Sequence, residues 1–281
     1  MSLSLLLNSY LSSYAKNYFE NNVKVLWYNQ EFSQSRFPPG QTSKKDIVSF
    51  ILSAPFRVQY IIFNTILVSE ACTLICLLVA QRISQTGLII YDAEKSPKLI
   101  AIIAEAMIEG NTIHAWIVKK GLVSHPYLST EEALRLGGKS LSLLREWTFQ
   151  VFHEKIQRGL YQHISNYLHK WYLAPKSKNL FMLLITCGRT VLFIFQEKTY
   201  MVTFFDSHSH STITNPNRGL VIAQTYIENL EHLCNWYTKD ILNKCYNTKA
   251  NQYELAFLYP SNSPCCGCDP VCNCGNHCKK Q

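Results

Sequence analysis

An acid and a histidine stand two residues apart where an apolar segment ends, in Phe204-Phe205-Asp206-Ser207-His208. Because side chains i and i+2 lie on one face of a β-strand, we expect Asp206 to orient the imidazole of His208. An imidazole oriented by a carboxylate can serve as a general base that takes a proton from a nucleophile. This spacing therefore predicts one half of a catalytic apparatus.

Cys72 is the candidate nucleophile, because it stands at the predicted start of an apolar helix. The unpaired N–H groups and the dipole of a helix N-terminus stabilise a thiolate and lower the pKa of a cysteine there. In the predicted reaction His208 takes the thiol proton, the thiolate attacks a carbonyl, and His208 returns the proton to the departing amine. Two alternatives stay open: Cys72 is a small buried hydrophobic residue, or His210 replaces His208 as the base.

The attack of a thiolate on a carbonyl also requires hydrogen-bond donors for the oxyanion that forms. Gln59, upstream of the cysteine, is the predicted side-chain donor and would act beside the backbone N–H of Cys72. The alternative role for this glutamine is that of an ordinary surface amide.

The helices that must position the cysteine are predicted from the spacing of apolar residues. Such residues recur at helical intervals from residue 71 to about residue 84, which indicates a buried helix. Pro97 opens a second helix, which continues to about residue 119 and which Gly110 interrupts. Ser129 and Glu132 match a capping box before a short helix that ends at Gly137.

The pattern changes at residue 180, where β-branched and aromatic residues become frequent. Residues 180–187, 191–196 and 200–205 are predicted as an antiparallel meander with turns at Gly188-Arg189 and Glu197-Lys198. Further helices are predicted over residues 1–30 and 219–244, and a final strand over residues 253–259. Helices followed by a meander predict an α+β fold.

The order and spacing of Gln59, Cys72, Asp206 and His208 resemble a known family, the ubiquitin-specific cysteine proteases at the N-termini of herpesvirus large tegument proteins. The resemblance covers roughly residues 50–260 and implies a papain-like cysteine protease fold, in which a central helix bearing the nucleophile packs on an antiparallel β-meander. It also implies hydrolysis after the C-terminal glycine of ubiquitin or a ubiquitin-like modifier through a Cys-His-Asp triad. The partners would be ubiquitin or ubiquitinated proteins. This chain departs from the family in having more residues before its cysteine.

The predicted domain organisation is an N-terminal helical extension and linker at 1–45, a papain-like protease domain at 46–260, and a cysteine-rich tail at 261–281. Two other functions stay open. One is a non-catalytic interaction protein with a metal-binding tail, and the other is a papain-like peptidase that acts on a viral polyprotein.

Composition limits the function classes. A chain of 281 residues with 47% hydrophobic and 16% charged residues is not generally disordered. The net charge of +8 is dispersed without a recognisable module, so nucleic-acid binding is not predicted. The apolar residues 61–80 include Asn64 and Glu70, which indicates buried core rather than a membrane span. No export signal is recognised, so we expect an intracellular, soluble protein, in the host cytoplasm or nucleus or in the virion if the viral resemblance holds.

The cysteines are distributed unevenly. The chain has 11, and six of them lie within residues 265–278 together with His277. Thiolates are preferred ligands of Zn²⁺ and Cu(I), so the tail is a candidate Zn site, although its spacing does not match a zinc finger. A lipidation target and a disordered appendage are the alternatives. Catalysis by the predicted triad requires no cofactor.

Overall fold

The structure is a computed structural model and describes residues 16–20, 22–37 and 70–261. Within these residues the strands form one antiparallel sheet in the order β1-β2-β7-β6-β5-β4-β8-β3. The strands are β1 Lys16–Glu20, β2 Val23–Asn29, β3 Leu144–Phe152, β4 Asn179–Thr186, β5 Arg189–Gln196, β6 Met201–Asp206, β7 Arg218–Tyr226 and β8 Tyr253–Pro260. Strand β6, which carries Asp206, is therefore an interior strand.

Helices cover both faces of this sheet. The α-helices of the described residues are α1 Cys72–Thr86, α2 Pro97–Lys119, α3 Thr130–Leu136, α4 Ile156–Leu173 and α5 Leu230–Trp236. Short 3-10 turns lie at Gln34–Arg36, Gly138–Leu141 and Ile227–Asn229. A π-helix, Tyr237–Cys245, continues α5.

The two faces of the sheet bury separate hydrophobic cores. Leu192 and Phe205 pack in the core that contains residues of α1, α2 and α3. Their chain neighbours Phe193 and Phe204 pack in the core that contains residues of α4, α5 and the π-helix. Because both faces are buried, the central strands are continuously apolar rather than alternating between apolar and polar residues. The result is a mixed fold in which the sheet forms the middle of three layers.

Helix α1 is held between α2 and the sheet. A Cβ atom at Gly110 of α2 would lie 2.6 Å from Cγ1 and 3.3 Å from the backbone nitrogen of Ile75 in α1. Arg82 of α1 forms ion pairs with Glu105 and Glu109 of α2. The close approach at Gly110 allows α2 to press α1 onto the sheet. The predicted interruption of α2 at Gly110 is wrong, because the helix continues through this residue to Lys119.

Several predicted elements are confirmed. Helix α1 begins at Cys72, and α2 begins at Pro97 in its first turn. The capping box is complete, since the Ser129 hydroxyl accepts from the Glu132 N–H and the Glu132 carboxylate accepts from the Ser129 N–H. Strands β4, β5 and β6 form the predicted antiparallel meander, and β8 is the predicted final strand.

The helix predicted over residues 1–30 is wrong within the described residues, and the helix predicted over residues 219–244 is wrong only in its first part. Within residues 1–30, the described ranges 16–20 and 23–29 are strands that pair with each other, and β2 also pairs with β7. Within residues 219–244, residues 219–226 belong to β7, and the helical structure begins at residue 227 and continues to the end of the range. Residues of β2 and β7 are buried on both faces, so their apolar residues do not show the strand period of two.

The predicted turn between β4 and β5 is displaced by one residue. Cys187 and Gly188 form the two-residue connection, with φ of 52° and 72°, and Arg189 already belongs to β5. A two-residue hairpin connection with positive φ at both positions matches the right-handed twist of the strands that it joins. The correction matters because it places Thr190 on the strand beside α1.

None of the helices in the described part of the chain has the length and apolar character needed to cross a membrane. The apolar segment 61–80 lies partly outside the described residues, and its second part forms the buried start of α1. Residues 38–45 of the predicted extension and linker and residues 262–281 of the cysteine-rich tail also lie outside the described residues. The three-part domain division stays a prediction, although β2 belongs to the common sheet.

We expect Gly110→Ala to lower the free energy of unfolding by about 1–3 kcal/mol, because the added methyl group overpacks the contact with Ile75. Replacing an exposed helical glycine with alanine would instead raise the free energy of unfolding by about 1 kcal/mol. Urea unfolding measures the difference. Lys119→Ala, at the exposed end of the same helix, is the control and should change stability little. A more stable Gly110→Ala variant would contradict the close packing.

Candidate active site

The candidate site lies at the C-terminal end of β6, beside the N-terminus of α1. Asp206 is the last residue of β6 and is fully buried. Its Oδ1 accepts a hydrogen bond of 3.0 Å from the backbone N–H of His208 and lies 2.6 Å from the Nδ1 atom of the same residue. A carboxylate that binds the N–H two residues later forms an Asx-type turn. The turn, rather than the alternation of a continuing strand, brings the imidazole to the acid.

Cys72 occupies the first position of α1, and its side chain is almost fully buried. Burial raises the pKa of the thiol, but a hydrogen bond with His208 and the charge of His208 lower it. Hydrogen bonding by the backbone and the side chain of Thr190 also lowers the pKa of this thiol. The net pKa lies below the ordinary value, which favours a thiolate next to the imidazole.

The histidine responds in the complementary direction. Burial lowers the pKa of His208, but the charge and hydrogen bond of Asp206, together with its interaction with Cys72, raise the pKa to about 9. Burial raises the pKa of Asp206, but the nearby His208 and His210 outweigh this effect and bring the pKa well below the ordinary value. The three shifts act in the same sense, toward a thiolate at Cys72, an imidazolium at His208 and a carboxylate at Asp206.

Thr190 is a site residue that the sequence did not reveal. It is buried in β5, and its hydroxyl lies 2.8 Å from the hydroxyl of Thr73 in α1. Its carbonyl accepts a weak hydrogen bond of 3.6 Å from the thiol of Cys76. Burial, followed by the charges of Cys72 and Asp206, raises the pKa of the Cys76 thiol well above its usual range. Cys76 is therefore an unreactive packing residue, one turn after Cys72.

His210 lies on the other side of the same carboxylate and is fully buried. Its Nδ1 is 2.7 Å from the carbonyl oxygen of Gly219, and its Nε2 is 3.0 Å from Oδ2 of Asp206. The hydroxyl of Tyr246 lies 2.9 Å from this Nε2. Both ring nitrogens thus face groups other than the sulfur, whereas His208 is the histidine that binds Cys72. This geometry favours His208 over His210 as the base.

The structure therefore brings together three of the four predicted site residues, Cys72, Asp206 and His208. Their catalytic roles stay predictions. The fourth residue, Gln59, lies outside the described residues, and so does the candidate Zn site in the tail. Over residues 16–20, 22–37 and 70–261, no group of three or more His, Cys, Asp or Glu side chains has an arrangement that could hold a metal ion.

The sequence matches no protein-family model and no curated protein. Among solved structures, the chain is similar to the ubiquitin-specific protease encoded by a murine cytomegalovirus tegument protein, which was solved in complex with a ubiquitin-based suicide substrate. The alignment covers 75% of this chain and 85% of that chain, with 11% identity and a TM-score of 0.45. A similarity this weak carries no information about the activity of this chain.

We expect Thr190→Val to move the pH profile of Cys72 alkylation to higher pH, because loss of the hydroxyl donor raises the pKa of the thiol. Alkylation by iodoacetamide, resolved by site with mass spectrometry, measures the profile. Thr225→Val is the control, since it removes a buried hydroxyl that binds the Asn22 carbonyl at the opposite end of β7. An unchanged profile in Thr190→Val would show that the hydroxyl does not stabilise the thiolate.

Asp206→Asn should make the free energy of unfolding depend less steeply on pH in acid. The folded pKa of Asp206 lies well below the ordinary value of 3.8, so its contribution is present above pH 3.8 and is lost as the pH falls through the folded pKa. The free energy of unfolding of the wild type should therefore fall more steeply below pH 3.8 than that of the variant. Asp240→Asn, in an exposed pair with Lys244, is the control and should keep the wild-type slope. If the free energy of unfolding had the same slope against pH in all three proteins, Asp206 would not be a buried carboxylate with a lowered pKa.

Proposed function

We propose that this chain is a cysteine-type hydrolase that cleaves the bond after the C-terminal glycine of ubiquitin or a ubiquitin-like modifier. One arrangement carries the chemistry: His208 lowers the pKa of the Cys72 thiol at a helix N-terminus, and Nδ1 of His208 lies 2.6 Å from Oδ1 of the buried Asp206. A nucleophile, a base and a group that orients the base are the parts that acyl transfer requires.

In the proposed reaction the thiolate of Cys72 attacks the carbonyl carbon of the scissile bond and forms a tetrahedral intermediate. The backbone N–H of Cys72, in the first turn of α1, and the predicted amide of Gln59 donate hydrogen bonds to the oxyanion. The intermediate expels the amine, which takes the proton from the imidazolium of His208, and a thioester remains. Neutral His208 then removes a proton from water, which attacks the thioester and releases the carboxylate product and the thiolate.

The substrate class rests on a separate argument. The order of Gln59, Cys72, Asp206 and His208 resembles the herpesvirus tegument ubiquitin-specific proteases, and it is this resemblance that favours ubiquitin over other acyl substrates. The site itself supports only thiol-dependent hydrolysis, which a peptidase acting on a viral polyprotein would share. A non-catalytic interaction protein would not need an oriented imidazole beside an acidified thiol.

A ubiquitin probe with a C-terminal electrophile should label Cys72 of the wild-type chain, because this thiol is the nucleophile of the proposed reaction and its pKa is lowered. Cys72→Ala should abolish the labelling. His208→Ala should slow hydrolysis of a fluorogenic ubiquitin substrate by about 10²–10⁴-fold, the usual contribution of a general acid–base residue. Intact-mass spectrometry and the rate of fluorescence release are the measurements.

Cys76→Ala is the matched control, because this cysteine lies one turn away on the same helix and is unreactive. Its labelling should equal that of the wild type. Labelling that survives Cys72→Ala would remove this thiol from the mechanism. If the wild-type chain is not labelled by the ubiquitin probe but cleaves peptides through Cys72, ubiquitin is not the substrate class, and the result supports the peptidase alternative. Full turnover by His208→Ala would reject the base.

A further inference from the structure

The buried carboxylate of Asp206 has two oxygens, and the proposed triad uses only one of them. Oδ1 binds the N–H and the ring of His208. Oδ2 faces the opposite way and binds Nε2 of His210 at 3.0 Å and the hydroxyl of Tyr246 at 3.3 Å. A second histidine, absent from the proposed mechanism, therefore holds the far side of the acid.

The hydrogen-bond partners define the protons on His210. A backbone carbonyl can only accept, so the 2.7 Å contact with Gly219 requires a proton on Nδ1. An ionised carboxylate can also only accept, so the contact between Nε2 and Asp206 requires a proton on Nε2. If Nε2 carried no proton, its lone pair would face Oδ2, and the single hydroxyl proton of Tyr246 could not satisfy both atoms. The geometry thus favours an imidazolium.

The surroundings of this ring contain charges of both signs. Asp206 is the negative group in direct contact with it. Two guanidinium groups lie one ring away: that of Arg218 stacks over Trp27 at 4.2 Å, and that of Arg189 stacks over Tyr246 at 3.7 Å. The Trp27 ring meets the imidazole edge-on, with 5.4 Å between the ring centroids. The titratable thiol of Cys245 and the phenol of Tyr237 lie on the helix that precedes Tyr246.

We propose that His210 is a positioning residue, which as a buried imidazolium binds Oδ2 of Asp206 and aims Oδ1 at the ring of His208. Thiolate, imidazolium, carboxylate and imidazolium then alternate in sign from Cys72 to His210. Tyr246 adds a second donor to the same oxygen. The effect on catalysis rests on the proposed function, whereas the protonation of His210 does not.

The backbone around this network supports the assignment. The π-helix ends with a wide turn, in which the N–H of Tyr246 binds the carbonyl of Ile241, five residues earlier. π-helical turns are rare and often occur at functional sites. This turn brings the Tyr246 hydroxyl to Asp206 from an element remote in sequence. The N–H of His210 also binds the carbonyl of Arg218, so the backbone holds the second histidine in place.

The test compares three variants of the full chain on a fluorogenic ubiquitin substrate. His210→Leu leaves Oδ2 without its strongest donor, and we expect kcat to fall by about 10–100-fold with little change in KM, the size of effect that one lost charge-assisted hydrogen bond produces. His210→Gln restores an N–H donor and should recover part of the loss. His163→Leu breaks a 2.5 Å pair between a histidine and Glu154 elsewhere on the molecule and should keep wild-type kcat.

A double variant separates positioning from general damage. If His210 acts through Asp206, Asp206→Asn combined with His210→Leu should be no slower than Asp206→Asn alone. Independent, multiplying losses would overturn the proposal, and so would a loss in His210→Leu that appears in KM alone. An equal loss in His210→Leu and His210→Gln, without recovery by the donor, would also overturn it.

Nitrogen-15 NMR of the wild-type histidines tests the protonation without any enzyme assay or variant. We expect Nδ1 of His210 to carry the proton that Gly219 accepts and Nε2 to carry the proton that Asp206 accepts, and an unprotonated Nε2 would overturn the proposal. In addition, the alkylation of Cys72 by iodoacetamide at pH 7 should slow by about tenfold in His210→Leu, because a less favourably oriented acid weakens the thiolate–imidazolium pair. If the wild type hydrolyses no ubiquitin substrate, the proposed function fails while these two measurements still decide the role of His210.

Discussion

The site depends on one buried negative charge, the carboxylate of Asp206 at the end of β6. A carboxylate without water is costly unless hydrogen-bond donors and opposite charges surround it. Here the donors come from two parts of the chain: the loop after β6 supplies His208 and His210, and the residue after the π-helix supplies Tyr246. Each donor loses its partner if the acid moves, so the acid holds the loop and the helix end together. The same charge makes His208 basic enough to favour the thiolate of Cys72.

The fold places this charge where two layers meet. Strand β6 lies inside the sheet and is covered on both faces, so Asp206 becomes reachable only where the strand ends. Helix α1 begins at the same level, on one face of the sheet, and α2 presses it there through the glycine contact at residue 110. Thr190, on the neighbouring strand, binds Thr73 of the helix and lowers the pKa of the Cys72 thiol. The nucleophile is therefore positioned by packing on two sides rather than by its own loop.

The sequence was sufficient to predict the elements that carry the chemistry, and it failed where burial on both faces removes periodicity. The helix that begins at Cys72, the helix that begins at Pro97 and the meander through β6 follow local rules of capping and residue preference. Strands β2 and β7 do not show alternation, because each contributes to both cores, and they were predicted as helices. The Asp-x-His spacing was informative for a different local reason than expected, since the carboxylate binds the N–H of His208 in a turn after the strand.

By itself, the sequence determined that an acid, two histidines and a helix-initiating cysteine are present with spacings that suit hydrolytic chemistry. Only the tertiary structure decided which histidine meets the sulfur, that Thr190 stabilises the thiolate, and that Tyr246 and His210 hold the far oxygen of Asp206. The reason is physical. A turn or a cap depends on residues a few positions apart, whereas these contacts join segments that only the strand order and the packing of helices on both faces bring within hydrogen-bond distance.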